Sequence, residues 1–194
     1  MKNNSVKLKI NTVAIPRDAT EWNMVIDEPR EVTVLFGGNR KLDFRATLAG
    51  ERASLKIFGR FFGRGEETED LTFRIQQEAP RTNCHIEIRS VLTDRATSTF
   101  DGLIRMEGDV EGASSMLSYR TLLLSDQAKA RPIPKLEILN KNVARARHEV
   151  SVGKISAEEL FYLQSRGISA PDAERMLIDG FLRLPLHLSM LRGS

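Results

Sequence analysis

The chain has 194 residues, of which 41% are hydrophobic, 28% charged and 6% aromatic, enough apolar material for a sizeable core and too much for a disordered tail. Lys and Arg number 29 against 26 Asp and Glu, spread nearly evenly along the chain, so a pI of about 9.2 reflects a small excess and does not mark a nucleic-acid polyelectrolyte. The single cysteine, Cys84, excludes an internal disulfide framework and any Cys-built zinc or iron–sulfur site made by this chain alone, and the lack of an 18-residue apolar run or an apolar N-terminal stretch leads to the expectation of a soluble, cytoplasmic protein.

From residue 5 to about residue 153 the sequence reads as strand after strand. Val6, Leu8 and Ile10 alternate with Lys7 and Lys9. The same period-2 pattern recurs at Val32, Val34 and Phe36, then at Leu42, Phe44, Ala46 and Leu48, and again at Ala53, Leu55 and Ile57. Leu71, Phe73 and Ile75 repeat it, as do Ile86 and Ile88. Such alternation predicts half-buried strands. Glycine- and proline-rich turns separate them at Gly37-Gly38-Asn39, Gly50, Gly63-Arg64-Gly65, Ala79-Pro80, Gly108-Asp109 and Gly112. Short strands at this spacing are compatible with a sandwich, a barrel or a solenoid, and periodicity alone leaves all three open. The intervening positions carry Lys7, Lys9, Lys41, Asp43, Arg45, Arg52, Lys56, Arg74, Glu87 and Arg89, which predicts one buried and one wet face.

The pattern changes at Ser156. Ser156-Ala157-Glu158-Glu159 forms a capping box, Leu160, Phe161 and Leu163 an apolar helical face, and Gly167 a C-cap. Ser169-Ala170-Pro171-Asp172 opens a second helix bearing Met176, Leu177, Phe181 and Leu182, and Pro185 interrupts the pattern. Leu184, Leu186, Leu188, Met190 and Leu191 could extend the apolar end as a short further helix, and His187 within them reads as structural. The expected division is a β core over 1–154 and a helical region over 155–194. Helices of this kind cover the open end of a stack of strands.

Four segments carry a specific resemblance. Phe100-Asp101-Gly102-Leu103-Ile104-Arg105, Leu122-Leu123-Leu124-Ser125-Asp126, Pro132-Ile133-Pro134-Lys135-Leu136-Glu137-Ile138 and Glu159-Leu160-Phe161-Tyr162-Leu163-Gln164-Ser165-Arg166-Gly167-Ile168 resemble, in that order, the motifs of the SufB/SufD family of iron–sulfur cluster assembly scaffolds. The chain is similar to a short, core-only form of that family. The resemblance implies a mainly β fold, a right-handed parallel β-helix (β-solenoid) with a small C-terminal α-helical domain. It also implies a non-catalytic scaffold subunit that binds a SufC-like ABC-type ATPase and pairs with a SufB/SufD-like chain as a homo- or hetero-oligomer. No nucleic-acid or membrane partner is expected.

Carried over residue by residue, the resemblance is incomplete. The cysteine of SufB-like members falls near Tyr119, and that of the SufD-like Cys-x-His pair falls on Ala146, while His148 and Glu149 match a His-Glu pair. Glu149 and His148 are therefore the metal-ligand candidates. Iron clusters prefer thiolates, so the isolated chain is expected to hold no cofactor, and a transient cluster is expected only in a complex. Alternation places Ala144, Ala146, His148, Val150 and Val152 on the core face, so His148 is expected inward or at an interface. Glu149 is expected on the charged face, beside Arg147 or a neighbouring rung. Cys84 reads as a core residue. The partner-binding candidates on the helices are Phe161, Tyr162, Arg166, Met176 and Phe181, residue types that anchor interfaces.

Other readings compete, among them a plain binding module that has lost cluster assembly. A β-helix acting on acidic polysaccharide would need acids and arginines such as Arg45, Arg52, Arg74 and Arg89 to converge in one groove. A binding module for adenylates or nucleic acid would need a phosphate loop or dinucleotide fingerprint, and neither occurs.

Overall fold

A computed structural model describes residues 10–38 and 40–183. In chain order the described residues form β1 (Ile10–Ala14), β2 (Glu21–Ile26), β3 (Glu31–Gly37), β4 (Lys41–Leu48), β5 (Ser54–Gly63), β6 (Thr68–Gln77), β7 (Asn83–Leu92), β8 (Thr97–Met106), β9 (Ser114–Leu123), β10 (Lys129–Ile138) and β11 (Arg145–Lys154), followed by α1 (Ala157–Ser165) and α2 (Ala170–Leu182). The alternation expected over Val6–Ile10 lies outside the described residues except for Ile10. So do Asn39, Pro185, His187 and the apolar end from Leu184. The β2 strand, with Trp22, Met24 and Ile26 alternating, joins those expected from the sequence.

Odd-numbered strands form one sheet, in the order β1-β3-β5-β7-β9-β11, and even-numbered strands form the other, β10-β8-β6-β4-β2. Every pairing is parallel. A chain that returns to the same sheet every second strand, always in the same direction, is a coil of rungs. Of the three architectures compatible with the periodicity, the fold is the β-solenoid. Register fixes its repeat: Ser54, Asn83, Ser114 and Arg145 stack on one another at intervals of 29 to 31 residues.

The predicted core positions line the lumen. Leu42, Phe44, Leu55, Ile57, Leu71, Phe73, Ile86 and Ile88 are all inaccessible to solvent or nearly so. Aromatic rings form a ladder along the axis. Phe44 and Phe73 lie 5.1 Å apart, Phe73 and Phe100 5.7 Å, and Phe100 and Tyr119 4.9 Å with their planes almost parallel. Two glycines make room for this ladder. A Cβ on Gly59 would come within 2.1 Å of Phe36 Cζ, and one on Gly102 within 2.4 Å of Phe100 Cζ. The Phe-x-Gly spacing of Phe100 and Gly102 is therefore a packing requirement of one strand.

Two expectations about the wet face are corrected. Arg52 is a corner residue, outside the strands. With φ of 61°, it occupies the same bend as Arg81 (φ 55°) and Gly112 (φ 69°) one and two rungs on, and the amides of all three donate to the next rung's carbonyls at 2.8–3.0 Å. Glu87 and Arg89 are on the outer face as expected, but their side chains are only 11% and 17% exposed because α2 covers them.

Gly59→Ala is expected to destabilise the protein by about 2 kcal/mol through overpacking. Adding Phe36→Leu should recover part of the loss by removing the ring that the new methyl meets. Chemical denaturation of both variants checks this.

Candidate functional site

The helical pair forms as its caps direct. Ser156 Oγ accepts from the Glu159 amide at 3.3 Å, Gly167 ends α1 with φ of 85°, and Ser169 Oγ caps α2 with Pro171 in the first turn. Among the described residues, Ala173 alone is fully buried in either helix. The outward faces are apolar and aromatic: Phe161 is 72% exposed, Tyr162 57% and Met176 51%. Arg166 lays its guanidinium over the Tyr162 ring, 5.3 Å from the centroid, a cation–π contact that holds both side chains in place. Glu158, Glu159, Tyr162, Leu163 and Leu177 line a shallow groove of about 370 Å³. Phe161, Tyr162, Arg166 and Met176 thus lie on the solvent side of the helical pair. Phe181 differs, being half-buried at the end of α2, with its carbonyl oxygen bound to the β core.

That contact involves a residue whose role the sequence did not suggest. Arg89 Nε donates to Glu87 Oε1 at 2.8 Å, while Nη1 donates to the carbonyls of Phe181 (2.7 Å) and Arg183 (2.8 Å). One planar guanidinium bridges β7 to the negative end of α2. The described helices consequently rest on the flank of the odd-numbered sheet, and they do not cover the last rung as an end cap would.

Among the described residues, the last rung is open. In β11, Ala146, His148, Val150 and Val152 stack over Ser115, Leu117, Tyr119 and Thr121, so alternation placed them correctly on the lumen side. Their burial does not follow: Val150 is 40% and Val152 44% exposed, and His148 is exposed as well. The core reading of His148 is corrected, because a rung with a neighbour on one side only leaves its lumen face in solvent. Glu149 points the opposite way and pairs with Arg120 of the rung below at 2.8 Å. As adjacent strand residues, His148 and Glu149 face opposite sides and do not converge on one centre within this chain. Among the described residues, no group of three or more His, Cys, Asp or Glu is arranged to hold a metal ion. Cys84 is fully buried, and burial pushes its thiol up to about 12, so it is not a thiolate near neutral pH.

The two edges of the last rung differ. In β10, Lys129 donates to Ala96 O and Leu139 to Met106 O. Odd-numbered amides therefore face β8, and even-numbered positions face the free edge. Pro132 and Pro134 occupy two of those even positions, so this edge lacks donors where an incoming strand would need them. In β11 the Arg145 amide faces β9, donating to Ala113 O, which turns the amides of His148, Val150 and Val152 to the free edge with no proline among them.

Of the four arginines named for an acidic polysaccharide site, two share a groove and two lie elsewhere. Arg45 and Arg74 are register neighbours in a groove of about 620 Å³ that Arg105 also lines. Arg45 is bound to Asp43 at 2.9 Å and Arg74 to Asp101 at 3.1 Å. Arg52 is at a corner and Arg89 lies under α2, on the other sheet.

Comparison with known proteins matches residues 30–181 to the core-domain model described as SUF system FeS cluster assembly, SufBD core domain. The chain belongs to the SufBD family. It is 36% identical over 120 residues to the iron-sulfur cluster assembly protein SufD of Bacillus subtilis and 35% identical over 120 residues to SufB of the same organism. It is 34% identical over 122 residues to a SufBD family protein of Staphylococcus saprophyticus. These matches cover 62–63% of this chain and 25–27% of each relative, so the chain spans about a quarter of the curated SufBD relatives it matches. In this SufBD core the family-like segments have defined structural roles. Asp101 pairs with Arg74 and Lys135, Ser125 Oγ accepts from the Ala128 amide, and Asp126 pairs with Lys154. No described helix is long and apolar enough to cross a membrane.

Arg89→Ala is expected to release α2 from β7, costing about 2 kcal/mol of anchoring for the lost charge-assisted hydrogen bonds. Limited proteolysis should then cut within residues 166–183 several-fold faster than in the parent chain. Arg89→Lys should not restore protection, because one ammonium cannot span both Glu87 and the helix carbonyls.

Proposed function

We propose that the chain is a non-catalytic scaffold component of a Suf-type iron–sulfur cluster assembly complex, with the cluster as its cargo. It captures a SufC-like ABC-type ATPase through α1 and α2 and pairs with a second SufB/SufD-like chain through β11. The observation that carries this reading is the exposed Phe161–Tyr162–Arg166–Met176 surface on a SufBD core. Large aromatic and methionine side chains held in the open with a stacked arginine have the composition of an interface hot spot. The open edge of β11 supports the second half: it offers a row of free backbone donors and acceptors to another strand, while the edge of β10 is blocked by prolines. A chain paired at β11 would bring its own donors beside His148 and Glu149. Thiolates would have to come from the partner, since Cys84 is buried and protonated. Glu149 would act as an oxygen ligand only after leaving Arg120.

In a pull-down with a cognate ABC-type ATPase, Phe161→Ala or Arg166→Ala is expected to weaken capture about tenfold or more; undiminished capture by both variants would overturn the docking surface. Anaerobic reconstitution of the isolated chain with iron and sulfide should leave no stable stoichiometric cluster, and one that persists would show that no second chain is needed to supply ligands. Val150→Pro, which removes an edge-facing amide in the way Pro132 and Pro134 already do in β10, should abolish association in sedimentation velocity without unfolding the chain. Association that survives this change would place the contact elsewhere.

A further inference from the structure

The lumen is not apolar throughout. Glu69, on β6, is 2% exposed and belongs to no described salt bridge. Ser98 Oγ of β8 donates to Glu69 Oε2 at 2.6 Å, and Ser90 Oγ of β7 donates to it at 3.1 Å. Tyr119 Oη of β9 lies 3.3 Å from Ser90 Oγ and is hydrogen-bonded to Ser98 Oγ, with Thr121 of the same strand beside it. These groups form a layer. Ser90 falls between Ile88 of the main core and Leu92 of a second apolar cluster. Tyr119 and Thr121 fall between Leu117 and Leu123, and Ser98 falls between Phe100 and Ala96. The layer therefore separates two apolar clusters and joins four strands through hydroxyls centred on one carboxyl group.

No cation balances that carboxyl among the described residues. From β7 and β8 only serines reach it, and from β9 the sole titratable group is Tyr119, whose phenol burial holds well above its ordinary range. From the preceding rung β5 presents Phe61 beside Ser90, and Arg40, just before β4, is exposed and pairs with Glu67 at 3.3 Å. The neighbours of Glu69 along β6, Thr68 and Asp70, are exposed on the outer face. The layer also lies beneath the anchor of the helical pair, because Ser90 points into the lumen while Arg89, next to it on β7, reaches α2.

We propose that Glu69 is a proton-operated latch of the solenoid: with a proton on Oε1 and Oε2 still accepting from Ser98 and Ser90, it closes the hydroxyl layer across β6, β7, β8 and β9, and ionised, it loosens those strands and the platform under α2. The inference concerns this chain alone and does not depend on the partners proposed above. Burial pushes the Glu69 carboxyl up to about 7, and the hydroxyls of Ser98, Ser90 and Tyr119 only partly offset that effect. In an opened layer the group returns to its ordinary value near 4.5. The closed state thus binds the proton more tightly. Its advantage is complete below about pH 4.5, declines as pH rises towards 7, and is gone above that.

The test is a ¹³C NMR titration of the glutamate side chains together with hydrogen exchange of the β6–β9 amides, corrected for the intrinsic pH dependence of exchange. One carboxyl should titrate near pH 7 and be missing from Glu69→Gln. Protection in the wild type should fall by up to roughly three-hundred-fold between pH 4.5 and 7 and then level off, whereas Glu69→Gln, which keeps the shape without the charge, should show no such fall. Titration of Glu69 in the ordinary carboxylate range, or the same pH dependence in Glu69→Gln, would overturn the proposal. Should Glu69→Gln fail to fold, the wild-type titration decides by itself.

Discussion

Parallel stacking of rungs in register is the constraint on which the rest of the structure depends. Each strand's backbone donors and acceptors are satisfied by the rung before and the rung after, and each lumen side chain is buried by the same two neighbours. Nothing in such a stack is self-sufficient, so the properties of a residue depend on which rung holds it. Leu117 and His148 occupy equivalent positions one rung apart. The first is inaccessible to solvent and the second is open to it. The difference between a core residue and a candidate ligand is whether another rung follows.

The same constraint gives the two ends of the chemistry different characters. In the interior, a glycine makes room for the ring of Phe36 at Gly59, and the buried carboxyl of Glu69 is met by hydroxyls from three other strands. At the terminus, backbone groups are left over. The two edge strands treat them differently, with prolines in β10 and a continuous row of amides in β11. The asymmetry leaves the unpaired amides on the odd-numbered sheet among the described residues, and the helical pair is anchored on the flank of that same sheet.

Much of this was legible in the sequence. Period-2 alternation identified lumen residues of β3 through β7, because a half-buried strand cannot do otherwise. The capping serines and Gly167 marked the helices almost to the residue, since unsatisfied terminal amides and a left-handed C-cap each require particular side chains. The family-like segments pointed to the solenoid and to the helical surface. Alternation also placed His148 on the correct face of β11. It could not give its burial, which depends on whether another rung is stacked on β11, as none is among the described residues, rather than on anything near His148 in the chain.

What the sequence determined by itself is therefore local: which residues alternate, where helices start and stop, that the chain carries a single cysteine, and that the motifs are those of a SufBD core. The tertiary structure decided what depends on contacts between residues far apart in the chain. Arg89 lies more than 90 positions from the carbonyls it binds at the end of α2, and Glu69 draws its partners from three other strands. Neither contact leaves a trace in spacing or composition, because hydrogen bonds across a solenoid are set by how the rungs coil and stack, and a charged residue reads the same in sequence whether it meets water or the inside of the coil.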